Sequence, residues 1–285
     1  MYRTAIIAAG YTVEPLVDVE GTFFPLHVVF PAVTTPEWEP FRAWYPDTFS
    51  GSDMLYTRVT CYLIRGHRRT ILVDCGVGPG PASLFGNARG RLLKELADRG
   101  VTPDSIDIVV LTHLHPDHIG WAAHENRPVF PRARYVVSRA DLETFRQDEV
   151  RTAMQSIVPG YLDECLTPLE EAGVLDTVVD TTELAPSLTV VPSPGHTPGM
   201  LRVELDDGTT RLWLVADIFT HPAQAARTEW CSAFDMIPEL AIATRKAVVE
   251  RATVEGIQIL ASHFPPVPGR LHQDGASIRW EPVSH

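Results

Sequence analysis

The stretch VVLTHLHPDHIGW (Val109–Trp121) constrains the fold more than any other feature, because it places three histidines and an aspartate directly after an apolar run. That run, Ile106–Leu111, is rich in Val, Ile and Leu and predicts a buried strand. Side chains two residues apart in an extended chain point the same way, so we expect His113 and His115 to face one point in space. The chain is therefore expected to leave a buried strand through a loop that carries metal ligands.

The second half of the motif predicts another group of ligands. Pro116 ends the extended segment, and Asp117 is predicted as the N-cap of a short helix that begins at His118. These two side chains are expected to point away from the first pair, toward a second point close by. The spacing HxHxDH therefore predicts two ligand clusters, as two adjacent metal ions require.

Three further candidate ligands each follow an apolar run that predicts a strand. They are His196 after Leu188–Val191, Asp217 after Leu212–Val215 and His263 at the end of Ile257–Ala261. If these strands align, their carboxyl ends gather the ligands at one edge of a sheet, where many α/β folds bind their ligands. All the candidate ligands are imidazoles or carboxylates, which favours zinc, with iron, manganese or cobalt as alternatives, and disfavours Cu(I).

Strand-like and helix-like runs alternate along the chain, which indicates the α/β or α+β class. The remaining predicted strands are Tyr62–Ile64, Thr70–Val73 and Ala133–Val137. The predicted helices are Gly90–Arg99, Pro238–Gly256 and a largely helical segment, Ser138–Leu169.

Charge and cysteine usage narrow the classes of partner and compartment. The net charge of −12 argues against a nucleic-acid-binding protein, which usually carries a basic patch. No apolar run of about 18 residues predicts a membrane span. Four scattered cysteines without a CxxC pair indicate a reduced chain, and the N-terminus does not resemble a signal peptide. We therefore predict a cytoplasmic protein that binds neither nucleic acid nor membrane.

The ordered motifs THLHPDH, GHTPG, the AD of VADIF and the SH of ASHFP resemble the metallo-β-lactamase superfamily. The upstream LVDCG (Leu72–Gly76) resembles a structural element of the same family, and the resemblance extends over roughly Tyr56–Pro265. It implies a single αββα sandwich over residues 1–285, with an N-terminal arm over about residues 1–50 and a helical insert over about residues 138–169. It also implies a site for two divalent cations at the rim of the sandwich.

The resemblance also implies a role for each candidate ligand. The first cation would be held by His113, His115 and His196, and the second by Asp117, His118 and His263. Asp217 would bridge them, and Asp117 and Asp217 would be the catalytic carboxylates. A hydroxide shared by the two cations would attack an electrophilic carbonyl or phosphorus centre, so no serine or cysteine nucleophile would be needed.

Within the superfamily the chain resembles quorum-quenching acyl-homoserine lactonases and methyl-parathion hydrolase. The shared features are the D-x-x-x-H-P-A-Q stretch from Asp217, the W-x-x-x-F-D of Trp230–Asp235, Thr244–Arg245, and HFPPVPG from His263. One departure is Thr220, which stands where smaller lactonases carry a tyrosine that contacts the substrate carbonyl. Only about 20 residues follow His263, so the glutathione-binding C-terminal domain of glyoxalase II is not expected.

The sequence predicts a dinuclear metal-dependent hydrolase that opens lactones of the acyl-homoserine-lactone type or cleaves related esters. One alternative is a phosphotriesterase or aryl esterase that uses the same site. Another is a non-hydrolytic metal-binding or redox sensor protein. The expected partner is a small-molecule lactone or ester, and the resemblance also suggests a homodimer.

An apolar substrate pocket is expected beside the ligands, because an acyl chain or aryl group would fit apolar walls. The candidate pocket residues are Trp121, Phe219, His221, Trp230 and Phe264, all close to a ligand in sequence. Phe23, Phe24 and Phe30 are predicted to form a lid or a dimer contact.

Overall fold

Two mixed β-sheets pack face to face in the computed structural model, and helices cover the outer face of each. The structure describes residues 5–275 and 277–283; the start of the predicted N-terminal arm, residues 1–4, lies outside the described residues. The strands are β1 Ile6–Ala8, β2 Tyr11–Pro25, β3 Phe49–Ser50, β4 Met54–Gly66, β5 Arg69–Val73, β6 Ile108–Val110, β7 Ala123–His124, β8 Arg127–Pro128, β9 Arg134–Ser138, β10 Leu175–Val178, β11 Thr182–Ala185, β12 Leu188–Pro192, β13 Leu201–Asp206, β14 Arg211–Leu214, β15 Gln258–Leu260, β16 Gly269–Asp274 and β17 Ser277–Pro282. The helices are α1 Leu26–Val29, α2 Glu39–Trp44, α3 Leu92–Ala97, α4 Pro116–Ile119, α5 Arg139–Phe145, α6 Asp148–Ile157, α7 Tyr161–Glu171 and α8 Pro238–Glu255.

Alternation along the strands separates the interior into layers, because successive side chains on a strand point to opposite faces. In β5, Ile71 and Val73 face the core between the two sheets, whereas Leu72 faces the outer helices. In β14, Leu212 and Leu214 face the core between the sheets, and Trp213 faces the other way. The apolar runs are thus buried on both faces, as a four-layer fold requires.

Helices complete the two outer layers. Strands β1–β6, β9 and β10 form the first sheet, and strands β11–β17 form the second. Leu92 and Leu96 of α3 are buried against the first sheet, together with residues of α5 and α7. The longest helix, α8, buries Val248 and Ala252 against the second sheet and ends at Gly256 in the left-handed conformation that glycine tolerates. The layers run helix, sheet, sheet, helix, so the predicted αββα fold is confirmed.

Strand direction explains how distant ligand-bearing loops meet. In the second sheet, β12 and β14 each run antiparallel to β13, and β15 runs parallel to β14. The carboxyl ends of β12, β14 and β15 therefore lie at the same edge of the sheet. In the first sheet, β6 lies between β5 and β9 and is parallel to both. The predicted strands that precede the ligands are all present.

The predicted N-terminal arm differs from the structure. Strand β2 pairs with β4 almost throughout, from Tyr11 opposite Gly66 to Pro25 opposite Met54, and so forms part of the first sheet. Pro15 lies inside this strand, where proline usually argues against a strand, and this hides an otherwise alternating pattern. Of the described part of the predicted arm, the segment between β2 and β3, with α1 and α2, lies outside the sheet.

The segment predicted as a helical insert contains α5, α6 and most of α7. None of the residues of α6 is fully buried; its Met154 and Ile157 face the ligand-bearing edge of the sandwich, and Val150 packs against the core of the first sheet. Among residues 5–275 and 277–283, no helix combines the length and apolar character that a bilayer crossing would need.

Candidate metal centre

The structure brings all seven predicted ligands together at the rim between the two sheets. They form three overlapping groups whose donor atoms lie within 4.8 Å of one another: His113, His115 and His196; His113, His118 and Asp217; and Asp117, His118 and His263. The first and third groups are the two sets that the family resemblance implies. Asp217 lies in a group that overlaps the first set through His113 and the second through His118.

The short helix of the HxHxDH motif begins earlier than predicted. Helix α4 starts at Pro116, and the residue before it, His115, is the N-cap. Proline suits the first helical position, because its fixed φ matches the helix and its missing N–H would have no partner there. Asp117 is therefore the second helical residue, and it still faces the second ligand group.

Asp217 contacts ligands of both sets. Its Oδ2 lies 3.0 Å from Nε2 of His263 and 3.5 Å from Nε2 of His196, and its Oδ1 lies 3.5 Å from Nε2 of His118. The residue before it, Ala216, has φ 46°, a left-handed conformation that is costly for a residue with a Cβ. The strained backbone of Ala216 thus lies directly before Asp217, where it sets the direction of this carboxylate.

Hydrogen bonds at the back of the site fix four of the imidazole rings. His113 Nδ1 donates to Thr112 Oγ1 at 3.1 Å and His263 Nδ1 donates to the carbonyl oxygen of Arg58 at 2.6 Å. The Nδ1 atoms of the other two rings face carboxylates: His118 faces Asp74 at 2.8 Å, and His196 faces Asp235 at 2.9 Å. An Nδ1–H donated outward leaves the Nε2 lone pair facing inward, as a metal ligand requires.

The inward atoms fit divalent cations. His113 Nε2 is buried and has no hydrogen-bond partner within the described parts of the chain, and the same is true of His118 Nε2 and Asp217 Oδ1. Buried polar atoms without partners are costly, so these three need a further ligand. Two ligands of a tetrahedral zinc, each about 2.1 Å from it, stand about 3.4 Å apart, which is close to the separations found here. The residues present therefore fit the group that the sequence predicts.

Burial and neighbouring charges set the protonation of the candidate ligands in the metal-free chain. Burial and the neighbouring imidazoles hold the pKa values of His113 and His115 well below the usual range. Burial also opposes protonation of His263, but the carboxylate of Asp217 more than offsets it and raises the pKa of His263 to about 9. Protons on this part of the site must leave when metal binds, so metal affinity should rise with pH.

This shift predicts how the stability of the metal-free chain depends on pH. The pKa of His263 is about 9 in the folded state and about 6.5 in the unfolded state, so its protonated form stabilises the fold fully below pH 6.5. That contribution, roughly 3 kcal/mol, is lost as the pH rises to about 9. We expect the unfolding temperature in excess chelator to fall over this window. His263→Gln should make this fall shallower without removing it, because nearby carboxylates also raise the pKa of His118. A flat wild-type profile would contradict the prediction.

A cavity of about 210 Å³ opens directly onto the ligands. His115, Asp117, His196, Asp217 and His263 form its floor, and most of its other lining side chains are apolar. Lysine and arginine are absent from its described lining. Neutral, largely apolar molecules are therefore the ones that this cavity suits.

His221 lines the cavity, as predicted, but both of its ring nitrogens have structural partners. Its Nδ1 accepts a hydrogen bond from the backbone N–H of Ala223 at 3.1 Å, so the proton lies on Nε2, which donates to Thr48 Oγ1 at 2.7 Å. Burial lowers the pKa of His221 to about 3. The ring is therefore neutral and fixed, and it contributes shape rather than proton transfer.

The other four predicted pocket residues do not line the cavity. Trp121 packs in the core on the outer, helix-covered side of the first sheet. Phe219, Trp230 and Phe264 pack in the core on the outer side of the second sheet. Phe264 lies in the turn after β15 and packs against Phe219 and Trp280, with ring centroids 6.1 and 5.3 Å away, while the adjacent His263 lies in the site. Closeness in sequence to a ligand was the wrong criterion for these aromatic residues.

The walls of the cavity come from segments that the ligand motifs do not identify. They include Phe24, Leu55, Leu84, Phe85, Met154, Ile157, Val158, Tyr161, Phe234 and Met236. Phe24 packs edge-on against Phe85 and Phe234, with ring centroids 5.6 and 6.0 Å apart. The sequence signals for this wall were the predicted helical segment and the phenylalanines near the N-terminus; Phe30, by contrast, is fully buried in the core.

Comparisons with known proteins agree with this architecture. An N-acyl homoserine lactonase from a Bacillus species is 26% identical over 171 residues, which cover 53% of this chain and 60% of that protein. The chain thus spans little more than half the length of the first curated relatives that it matches.

Two solved structures are similar over nearly the whole chain. A hydrolase of the β-lactamase superfamily, AbOPH, has a TM-score of 0.86 at 22% identity and covers 99% of this chain and 97% of its own. The dizinc quorum-quenching lactonase AidC has a TM-score of 0.83 at 23% identity, with the same coverage. At these identities the likeness establishes the fold.

The family itself is established by sequence. The sequence model of the metallo-β-lactamase superfamily matches residues 56–229, well over half of the chain, including six of the seven clustered ligands. The seventh, His263, joins them through the parallel pairing of β15 with β14. The chain therefore belongs to the metallo-β-lactamase superfamily.

Proposed function

We propose that this protein is a metal-dependent hydrolase that uses two divalent cations to open lactones of the acyl-homoserine-lactone type or to cleave related esters. The observation that carries the proposal is the seven-ligand cluster at the floor of an apolar cavity. Relatives named as N-acyl homoserine lactonases support the choice of substrate. Zinc is the proposed metal, because all the ligands are imidazoles or carboxylates.

The residues would divide between two cations. His113, His115 and His196 would hold one, Asp117, His118 and His263 would hold the other, and Asp217 would contact both. Bound cations would supply a water molecule acidic enough to lose its proton near neutral pH and would polarise the substrate carbonyl.

Asp117 is the ligand carboxylate best placed to exchange a proton with the substrate. Its side chain is 14% exposed and lines the cavity, whereas that of Asp217 is 5% exposed. We assign to Asp117 the transfer of a proton to the leaving oxygen when the ring opens. The oxygen of water would add to the carbonyl carbon, the bond between that carbon and the ring oxygen would break, and the proton from water would pass through Asp117 to the ring oxygen, so that a hydroxy acid leaves.

The cavity would bind the apolar arm of the substrate. Phe24, Leu55, Phe85 and Phe234 provide apolar walls, and Ile157 and Phe234 are partly exposed to solvent, as expected at a cavity mouth. Burial of each methylene contributes about 0.8 kcal/mol. An acyl chain should therefore raise kcat/KM by roughly fourfold per methylene until it fills the cavity.

A substrate panel tests this proposal. The zinc-loaded chain should open acyl-homoserine lactones with a higher kcat/KM than it shows for paraoxon-type phosphotriesters or aryl acetates, and decanoyl should exceed butanoyl lactone. Asp117→Ala, assayed alongside, should lose most of the turnover and shows that the activity belongs to this site.

Other outcomes would point elsewhere. A higher kcat/KM for the phosphotriester would favour the phosphotriesterase alternative. Bound iron with dioxygen consumption and no hydrolysis would favour the redox alternative. Equal rates for butanoyl and decanoyl lactones would contradict the assignment of the cavity to an acyl chain.

A further inference from the structure

A buried guanidinium lies behind the metal-ligand cluster. Arg245 of α8 is 1% exposed, and its Nε donates to the carbonyl oxygen of Ile218, the residue after Asp217, at 2.9 Å. Its Nη1 donates to the carbonyl oxygens of Thr228 and Trp230 at 2.7 and 3.0 Å. This one side chain therefore joins the loop that carries Asp217 to the loop that follows it.

The same guanidinium holds a buried carboxylate. Nη2 of Arg245 donates to Oδ2 of Asp235 at 3.2 Å, and the backbone N–H of Ser232 donates to the same oxygen at 2.9 Å. The other oxygen, Oδ1, accepts the hydrogen bond from Nδ1 of His196. The side chain of Asp235 is 0% exposed, so both oxygens are committed to these partners.

We propose that Asp235, held in place by Arg245, is a positioning residue that sets the orientation and tautomer of His196 and thereby the affinity of one of the two cation sites. This inference rests on the proposed dinuclear function. A carboxylate behind a ligating histidine holds the ring and strengthens the ligand, and its loss typically costs about 10- to 100-fold in metal affinity.

The second cation site has its own carboxylate. Oδ2 of Asp74 faces His118 Nδ1 at 2.8 Å, and Asp74 also accepts hydrogen bonds from the backbone N–H and the hydroxyl of Thr112. Asp74 comes from the loop after β5 and Asp235 from the loop before α8, and the two contact different ligands. Asp235→Asn should therefore weaken only the site that includes His196, whereas Asp74→Asn should weaken chiefly the site that includes His118, with a smaller effect on His113 through Thr112.

Asp141 provides a matched control. It is a buried carboxylate that accepts hydrogen bonds from Thr197 Oγ1 and from the backbone N–H of Gly199, in the same loop as His196. Among the described residues, none of the ligand rings forms a hydrogen bond with it. Asp141→Asn thus disturbs the loop that carries His196 without touching the imidazole.

The experiment measures metal binding without any substrate. The full chain is stripped with chelator and titrated with Co²⁺, followed by visible absorption, and with Zn²⁺ in competition with a chromophoric chelator. Wild type should show two binding phases. Asp235→Asn should weaken one phase by about 10- to 100-fold and leave the other unchanged, whereas Asp74→Asn should weaken the other phase. Asp141→Asn should lower the unfolding temperature and change neither phase.

Arg245→Lys keeps the positive charge but not the planar fork, and it should weaken the same phase as Asp235→Asn by a smaller factor. This variant tests the same arrangement if Asp235→Asn does not fold. Wild-type affinity in both phases of Asp235→Asn, or equal weakening of both, would overturn the positioning role. The wild-type chain is titrated before any variant. If it binds fewer than two cations, that result would overturn the proposed function itself.

Discussion

Asp217→Ala is expected to lower kcat/KM for lactone opening by roughly 10³-fold, since charge stabilisation by metal centres contributes several kcal/mol. Asp217 contacts ligands from both sets, within 3.0 Å of His263 and 3.5 Å of His196. Without its carboxylate, two cations would lie close together with one negative charge fewer between them. The measurement is steady-state kinetics on an acyl-homoserine lactone, together with elemental analysis of the purified variant.

The metal count separates a local effect from a general loss of structure. Asp217→Ala should retain fewer than two cations, whereas Asp141→Asn, which removes another buried carboxylate near the site, should retain both. Circular dichroism should show that each variant is folded. An Asp217→Ala protein with two cations and wild-type turnover would refute the bridging role.

Removal of the metals is expected to abolish hydrolysis and to lower the unfolding temperature at pH 7. The inward nitrogens and oxygens of the ligands would lose their partners, and the apolar cavity alone supplies no nucleophile. A ligand present at 1,000 times its Kd stabilises a fold by about 4 kcal/mol, which corresponds to roughly 10 °C for a chain of this size. The measurement is thermal unfolding and turnover before and after dialysis against chelator.

Re-addition of zinc should restore both turnover and unfolding temperature. The same chelator saturated with zinc serves as the control, because it cannot remove metal from the protein. Full turnover in a sample that elemental analysis shows to be metal-free would exclude the proposed chemistry.

Much of the fold was predictable because its signals are local. The apolar runs that form β6, β12, β14 and β15 are short, rich in Val, Ile and Leu and bounded by turn residues, and α8 has proline at its start and glycine after its end. Strand β2 was not predicted, because Pro15 interrupts its alternating apolar pattern. In the structure the strand nevertheless pairs with β4 through this position.

The ligands were predictable for the same reason. Their identity and spacing lie in contiguous motifs, each at the end of a strand, and a shared strand direction is enough to bring those ends to one edge. The orientation of Nδ1 in each ring was not predictable. It depends on acceptors such as Asp74 and Asp235, which lie far from their histidines in sequence.

The sequence alone thus determined the family, the fold and the set of seven candidate ligands that cluster, because residue type and local periodicity encode them. Only the tertiary structure decided which side chains line the cavity and which hold the ligands in place. Phe264 turned into the core while Phe24 and Met154, from distant segments, reached the site. The physical reason is that side-chain direction at a packed rim depends on which partners fill the opposite side, and those partners come from segments far apart in the chain.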